Sequence, residues 1–188
     1  MPRFILTGAP GTGKTAILRQ LECDGLPVVE EAATDVIALW QARGCGEPWL
    51  AAGFTDAIVT LQRQREQLAG PAGSGEAVFF DRSPVCTLAL SRYLGHPASP
   101  LLAAAVDRAV AERVYHEAAF LVRSQGFVTP TAARRISLAE AMAFEEIHVQ
   151  TYAELGFRLI EVPAGPLADR AELVRRAAAA AVGAAGRV

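Results

Sequence analysis

The sequence predicts an α/β domain built on a parallel sheet, and three observations carry that expectation. Five short apolar runs are spread along the 188 residues: Phe4-Ile5-Leu6, Pro27-Val28-Val29, Val78-Phe79-Phe80, Phe120-Leu121-Val122 and Leu159-Ile160-Glu161-Val162. Most lack polar alternation, as expected of strands covered by helices on both faces. Segments with helical spacing separate them, which is the pattern of parallel strands joined by crossover helices. A glycine-rich turn joins the first run to the first helical segment. Length points to one domain over 1–188, large enough to bury about 70% of its unfolded surface without a disulfide or metal.

That turn reads Gly8-Ala9-Pro10-Gly11-Thr12-Gly13-Lys14-Thr15, which meets G-x-x-x-x-G-K-[ST] at every required position. Glycines let successive N–H groups turn inward as a nest, and the helix entered at Ala16 adds positive potential. Residues 8–16 are therefore expected to cradle the polyphosphate of ATP, with Lys14 bridging its β- and γ-phosphates and Thr15 offering its hydroxyl to Mg²⁺. Lys14 is the only lysine; the other basic residues are arginine. The slot takes a compact ammonium on a thin stem, where a planar guanidinium would crowd it.

The second run ends in Glu30-Glu31, before a helix expected over 32–43. Ligands collect at the carboxyl ends of parallel strands. Either carboxylate can take a proton from a hydroxyl attacking the γ-phosphate. An acid at a helix start also answers the helix dipole, and the sequence does not choose between Glu30 and Glu31. A loop follows from Gly44 to Gly53, then a helix over 55–69 with its core stripe at Ile58, Leu61, Arg65 and Leu68. Trp40, Trp49, Phe54 and Gln62 suit an acceptor pocket, apolar with a placed polar group; the plainer reading makes the aromatics core.

The third run ends in Asp81-Arg82-Ser83. A strand-end acid here holds Mg²⁺ beside the loop threonine, or else helps Ser83 cap the next helix. Ser83-Pro84 and Ser99-Pro100 each place an N-cap before proline at the first helical position. Ser137 and Glu140 make a capping box. Gly44, Gly70, Gly95, Gly156 and Gly183 stand where helices should stop. Arg123 ends the fourth run and suits stacking on adenine. Segment 124–136 follows as a candidate lid. Its Arg134 and Arg135 lie before a helix start, where cations are disfavoured, so a phosphoryl group is the expected partner. Pro163 and Gly165 follow the fifth run and are expected to wrap the base. His96, His116 and His148 show no metal spacing, and His148 reads as packing or surface.

Net charge is −2, which offers no global field for nucleic acid. Cys23, Cys45 and Cys86 read as reduced cytoplasmic thiols. Neither a signal peptide nor a bilayer span is expected. The expected partners are a small hydroxylated acceptor and, at most, a second copy in a homodimer.

The phosphate loop, Val28-Val29-Glu30-Glu31-Ala32-Ala33, Phe79-Phe80-Asp81-Arg82-Ser83 and the stretch Glu154 to Pro163 resemble small bacterial ATP-binding proteins grouped as an "AAA domain" ATPase family near the nicotinamide riboside kinases. More distantly, the layout is similar to deoxynucleoside kinases. There a strand-two glutamate is the base, a Glu-Arg-Ser motif ends strand three, and arginines sit in a lid. The resemblance implies a three-layer α/β/α phosphate-loop kinase fold with a five-stranded parallel sheet of order 2-3-1-4-5 and a short lid. It assigns Glu30 or Glu31 as base, Asp81-Arg82-Ser83 as the second motif with Asp for Glu, and Arg134 and Arg135 to the lid. Hexameric-motor elements such as sensor motifs are not seen, so no ring motor is implied. The expected activity is transfer of the γ-phosphate of ATP·Mg²⁺ to a hydroxyl of a nucleoside-like or antibiotic-like metabolite, with Arg82, Arg134 and Arg135 stabilising the moving charge. The other reading is a nucleotide-dependent switch or accessory ATPase acting on a protein partner.

Overall fold

Strand β1 (Arg3–Thr7) occupies the middle of the sheet, because Phe4, Ile5 and Leu6 are all fully buried and need cover on both faces. The computed structural model describes residues 2–69, 77–127 and 136–185. From β1 the chain runs through α1 (Lys14–Cys23), β2 (Val28–Val29), α2 (Ala33–Ala42), a 3₁₀ turn (Pro48–Leu50) and α3 (Phe54–Leu68). It continues with β3 (Val78–Asp81), α4 (Pro84–Tyr93), α5 (Pro100–Ala111), β4 (Ala118–Val122), α6 (Leu138–Glu154), β5 (Arg158–Val162) and α7 (Leu167–Ala185). The five strands are parallel in the order β2-β3-β1-β4-β5, as the resemblance implies.

Alternation along each strand builds three layers. Phe4, Leu6, Phe79, Phe120 and Val122 face Ile17, Leu18 and Leu21 of α1 and Val174 and Ala178 of α7. Ile5, Val78, Phe80 and Ala119 face the other way, onto Val85 of α4, Ala109 of α5 and Tyr152 of α6. Each large side chain buried this way stabilises the fold by roughly 1.5–3 kcal/mol. A smaller cluster joins Val36, Phe54 and Ile58, with Trp40 and Trp49 packed against it.

Strand order fixes where a ligand belongs. β1 connects leftward to β2 while β3 connects rightward to β4, so neighbouring strands diverge and open a crevice at their carboxyl ends. Leu6 pairs with Asp81 across that junction, bringing the start of the phosphate loop beside the strand-end acid.

Two local expectations are corrected. Leu68 is 86% exposed, while Val59 and Glu66 are buried, so the buried stripe of α3 is rotated from the one read in the sequence. Glu66 is held inside by both carboxylate oxygens accepting from Arg108 at 2.8 Å and by the Tyr115 hydroxyl at 3.2 Å. α7 also runs past Gly183 to Ala185. The capping box at α6 is present: Ser137 Oγ accepts from Glu140 N at 3.3 Å, and Glu140 Oε2 from Ser137 N at 2.8 Å. Ser137→Ala should lower the unfolding free energy by about 1 kcal/mol in urea titration.

Candidate functional site

The loop between β1 and α1 depends on glycine where side chains cannot fit. Gly8 has φ +124°, and a Cβ there would lie 2.6 Å from the Val122 carbonyl oxygen. Gly13 has φ +91° and forms the N-cap of α1, so Lys14, Thr15 and Ala16 open that helix. Lys14 is buried; its Nζ donates to Ala9 O at 2.7 Å and Thr12 Oγ1 at 3.3 Å. Burial, reinforced by Arg82, lowers the Lys14 pKa to about 8 against the opposing pull of Asp81 and Glu31.

Three strand ends meet this lysine. Asp81 closes β3 and accepts from Thr15 Oγ1 at 2.8 Å through Oδ2, while its buried Oδ1 has no partner among the described residues. Burial and then Glu31 push the Asp81 carboxyl up, against Lys14, Arg82 and the Thr15 hydrogen bond. Arg82 follows with φ +73°, an uncommon conformation for a residue with a Cβ and one that clusters at functional sites. That backbone turns its guanidinium inward. Nε donates to Glu31 Oε1 at 2.5 Å, and Nη1 lies 3.2 Å from Gly8 O and 3.4 Å from His148 Nε2. Burial works against the charge on Arg82, but Glu31, Cys86 and Asp81 together outweigh it and hold the guanidinium firmly protonated. Burial likewise opposes the charge on Glu31, yet Arg82 and Lys14, with hydrogen bonds from Thr34 and Arg82, keep its carboxyl below the usual range. Glu30 also lines the cavity described below, but it is half-exposed and pairs with Arg19 at 2.5 Å.

An orphaned carboxylate oxygen beside a threonine hydroxyl is a hard-oxygen donor set. Thr15 and Asp81 thus fit Mg²⁺, a cation that takes one or two protein oxygens and completes its shell with phosphate and water. Among the described residues no group of three or more His, Cys, Asp or Glu forms a separate metal cluster.

A cavity of about 830 Å³ opens from the loop. Gly11, Lys14, Thr15, Glu31 and Arg82 line one part; Trp49, Phe54, Ile58, Gln62, Leu90 and Tyr93 line another. Gln62 Oε1 accepts from Thr87 Oγ1 at 3.1 Å. Trp40 is not in the wall; it packs edge-on against Phe54, with ring centroids 6.0 Å apart. The structure therefore brings Trp49, Phe54 and Gln62 to the loop and sets Trp40 behind them.

Arg123, Pro163 and Gly165 lie outside this cavity. Arg123 is gripped by Glu145 at 2.7 Å and Glu161 at 2.5 Å. Gly165 exchanges two hydrogen bonds with the Gln125 side chain, both 3.2 Å, which ties the loop after β5 to the segment after β4. Arg134 and Arg135 fall outside the described residues.

The profile of the family described as "AAA domain" matches residues 3–170. The chain belongs to this family. No curated protein sequence matches it. Among solved structures, this AAA-domain chain is similar to NadR protein in complex with NR, at TM-score 0.64 and 19% identity over 86% of this chain and 43% of that one. NadR in complex with NAD and AMP-PNP gives 0.63 at 16% identity, over 93% and 49%. Deoxyadenosine kinase from M. mycoides with bound dCTP gives 0.62 at 13% identity, over 96% and 100%. The chain spans less than half of the NadR chains. At these identities the likeness is one of fold, a phosphate-loop kinase fold.

Three residues of the site were not read from the AAA-domain sequence. His148 is fully buried, and its Nδ1 lies 2.9 Å from Phe144 O, so the neutral ring donates there and presents Nε2 to Arg82. Burial, followed by Arg82, lowers its pKa to about 3, which keeps it neutral. Arg65 donates to the carbonyls of Glu30, at 3.2 Å, and Glu31, and to the Asp35 carboxylate, pinning the end of β2 to α3. Arg170 donates to Thr12 O at 2.9 Å behind the loop. A cation in the first turn of a helix is disfavoured, and that signal was readable at Arg170 as it was at Arg134. Among the described residues no helix is long and apolar enough to cross a membrane. Gly8→Ala should cost about 2 kcal/mol or more of stability by urea denaturation, from left-handed strain plus the clash with Val122 O.

Proposed function

We propose that this protein is an ATP-dependent phosphotransferase that moves the γ-phosphate to a hydroxyl of a small metabolite. The supporting observation is the continuity of one cavity, in which the phosphate loop and Glu31 share a wall with an apolar chamber of Trp49, Phe54, Ile58 and Leu90. A hydrolytic switch has no need of such a chamber beside its loop. The chamber's size suits a nucleoside-scale body, and the neighbours in fold, solved with NR or with dCTP bound, are in keeping with a ligand of that scale.

Glu31 is the better base. It sits inside the cavity between Lys14 and Arg82, whereas Glu30 is at the rim with Arg19. Its lowered pKa keeps it ionised at neutral pH, ready to accept the hydroxyl hydrogen and take the proton as the oxygen attacks phosphorus. Lys14 holds the β- and γ-phosphates, and Thr15 and Asp81 would hold Mg²⁺. That ion, when bound, neutralises charge developing between the two phosphates. Arg82 fixes the Glu31 carboxylate and stabilises the transferring group from the side of Gly8. Arg123, its fork held by Glu145 and Glu161, presents a fixed plane for the adenine, with Pro163 and Gly165 beside it. The sequence-based lid role of Arg134 and Arg135, which lie outside the described residues, belongs to this proposal as charge for the transferring group.

The deciding experiment is ADP release screened over nucleosides, sugars and aminoglycosides, with water as baseline. Release that depends on an acceptor supports the kinase; release into water alone, indifferent to every acceptor, supports the switch. Once an acceptor is found, Glu31→Gln should lower kcat by roughly 10²–10⁴, as loss of a general base does, while Glu30→Gln stays within about tenfold. Equal small losses would remove the base from this strand end.

Lys14 makes a second test. Its ammonium is the form that binds phosphate, and its pKa near 8 means that the neutral amine dominates above that pH. ATP binding should therefore take up a proton above pH 8, and its Kd should rise toward tenfold per pH unit there by linkage. Calorimetry in buffers of different ionisation enthalpy measures the uptake; a Kd that is flat from pH 7 to 10 would contradict it.

A further inference from the structure

Arg170 is a buried cation without a counter-charge among the described residues. It is 4% exposed in the first turn of α7, and no carboxylate among the described residues pairs with it. Its Nη1 donates to Thr12 O at 2.9 Å and its Nη2 to Arg123 O at 3.1 Å, while its buried Nε has no partner among the described residues. Burial alone lowers its pKa, with no neighbouring charge acting in either direction. Two penalties coincide here. Desolvating an ion costs several kcal/mol, and a helix N-terminus repels a cation. Two carbonyl hydrogen bonds do not offset a full unpaired charge.

The side chain lies against the back of the phosphate loop. A Cβ built on Gly13 would come 2.9 Å from Arg170 Nη1, so a side chain at position 13 would push the guanidinium off its place against the loop. In a trans peptide the C=O and N–H point in opposite directions. By holding Thr12 O, Arg170 turns the Gly13 N–H of the same peptide away from itself. Arg170 does not line the cavity; it acts from behind.

We infer that Arg170 is a positioning residue for the nucleotide: it orients the Thr12–Gly13 peptide and places behind it a positive charge whose counter-ion is the bound polyphosphate. This rests on the ATP-binding reading above. It goes further by assigning part of the phosphate affinity to a residue remote in sequence and outside the loop motif. The charge destabilises the protein without nucleotide and stabilises the complex.

The test measures two quantities on wild type, Arg170→Gln and Arg170→Lys: Tm without nucleotide, and Kd for ATP, AMP and inorganic tripolyphosphate with Mg²⁺. Arg170→Gln removes the charge and keeps a donor. Its nucleotide-free Tm should equal or exceed that of wild type, while ATP and tripolyphosphate bind roughly tenfold or more weakly, as loss of a charge-assisted contact implies, and AMP loses less. Arg170→Lys should recover part of the polyphosphate affinity. A purely structural arginine gives the opposite pattern, with a lower Tm and unchanged affinity in the folded fraction, and that result overturns the inference. So does an equal loss for AMP and ATP, or failure of both variants to fold. If wild type binds and the variants bind alike, this inference alone fails; if wild type binds no polyphosphate, the proposed function fails and takes it along.

Discussion

Two buried charges, Lys14 and Asp81, and two part-buried ones, Glu31 and Arg82, share the space where β1, β2 and β3 end, and the site depends on their balance. Lys14 and Arg82 carry positive charge; Glu31 and Asp81 carry negative charge. None is tolerable alone in a medium of low polarity, because an ion without a partner keeps its full desolvation cost. Together they are neutral, but they are not equivalent. Glu31 and Arg82 lock each other in their charged forms. Lys14 and Asp81 are each shifted toward their neutral forms, Lys14 downward and Asp81 upward. The soft members are the two that face incoming charge. On the proposed function, a triphosphate would favour the ammonium and a divalent cation would favour the carboxylate. The rigid pair forms the frame, and the responsive pair meets the ligand.

Topology makes that balance available. Parallel strands deliver all their carboxyl ends to one edge of the sheet, and the divergence between β1 and β3 leaves a gap there. The Leu6–Asp81 register sets the depth at which the acid meets the loop. Arg82 must then reverse direction within a single residue to reach both Glu31 and Gly8 O, and its φ of +73° is the result. Strain of this kind costs of order 1–3 kcal/mol. It persists because the carboxylate, the loop carbonyl and His148 together over-determine the position of the guanidinium.

Much of this was readable from the sequence, and what was not has a common cause. Buried parallel strands appear as uninterrupted apolar runs, and Phe4-Ile5-Leu6 and Val78-Phe79-Phe80 are both fully buried strands. The phosphate loop carries its own spacing rule, and Asp81 follows from its place at a strand end. Local patterns failed where a partner from far along the chain decides the outcome. The stripe of α3 was read from apolar spacing, yet Glu66 points inward because Arg108 and Tyr115 receive it, and Leu68 points out. Arg82 and His148 are 66 residues apart, and Arg170 and Thr12 are 158 apart. Periodicity within a single element holds no record of such pairs. Trp40 and Trp49 show the same limit at shorter range. Both belong to one aromatic cluster, but only the position of the 3₁₀ turn decides that Trp49 faces the cavity and Trp40 supports Phe54.

Arg65 links the cavity wall to the charged centre. It projects from α3, the helix whose Phe54, Ile58 and Gln62 line the cavity, and it holds the backbone carbonyls of Glu30 and Glu31. The same guanidinium takes Asp35 from the first turn of α2. Two helices and the end of a two-residue strand are thus fastened at one point. β2 pairs with β3 through Val28 and Val29 alone, too few ladder bonds to hold a carboxylate in register unaided. The clamp supplies what so short a strand lacks. A body that presses on α3 therefore presses on the backbone of Glu31, and through Glu31 on Arg82 and the loop carbonyl of Gly8. On the proposed function, the side chains that would recognise an acceptor and those that would act on it share one mechanical support, the Arg65 clamp.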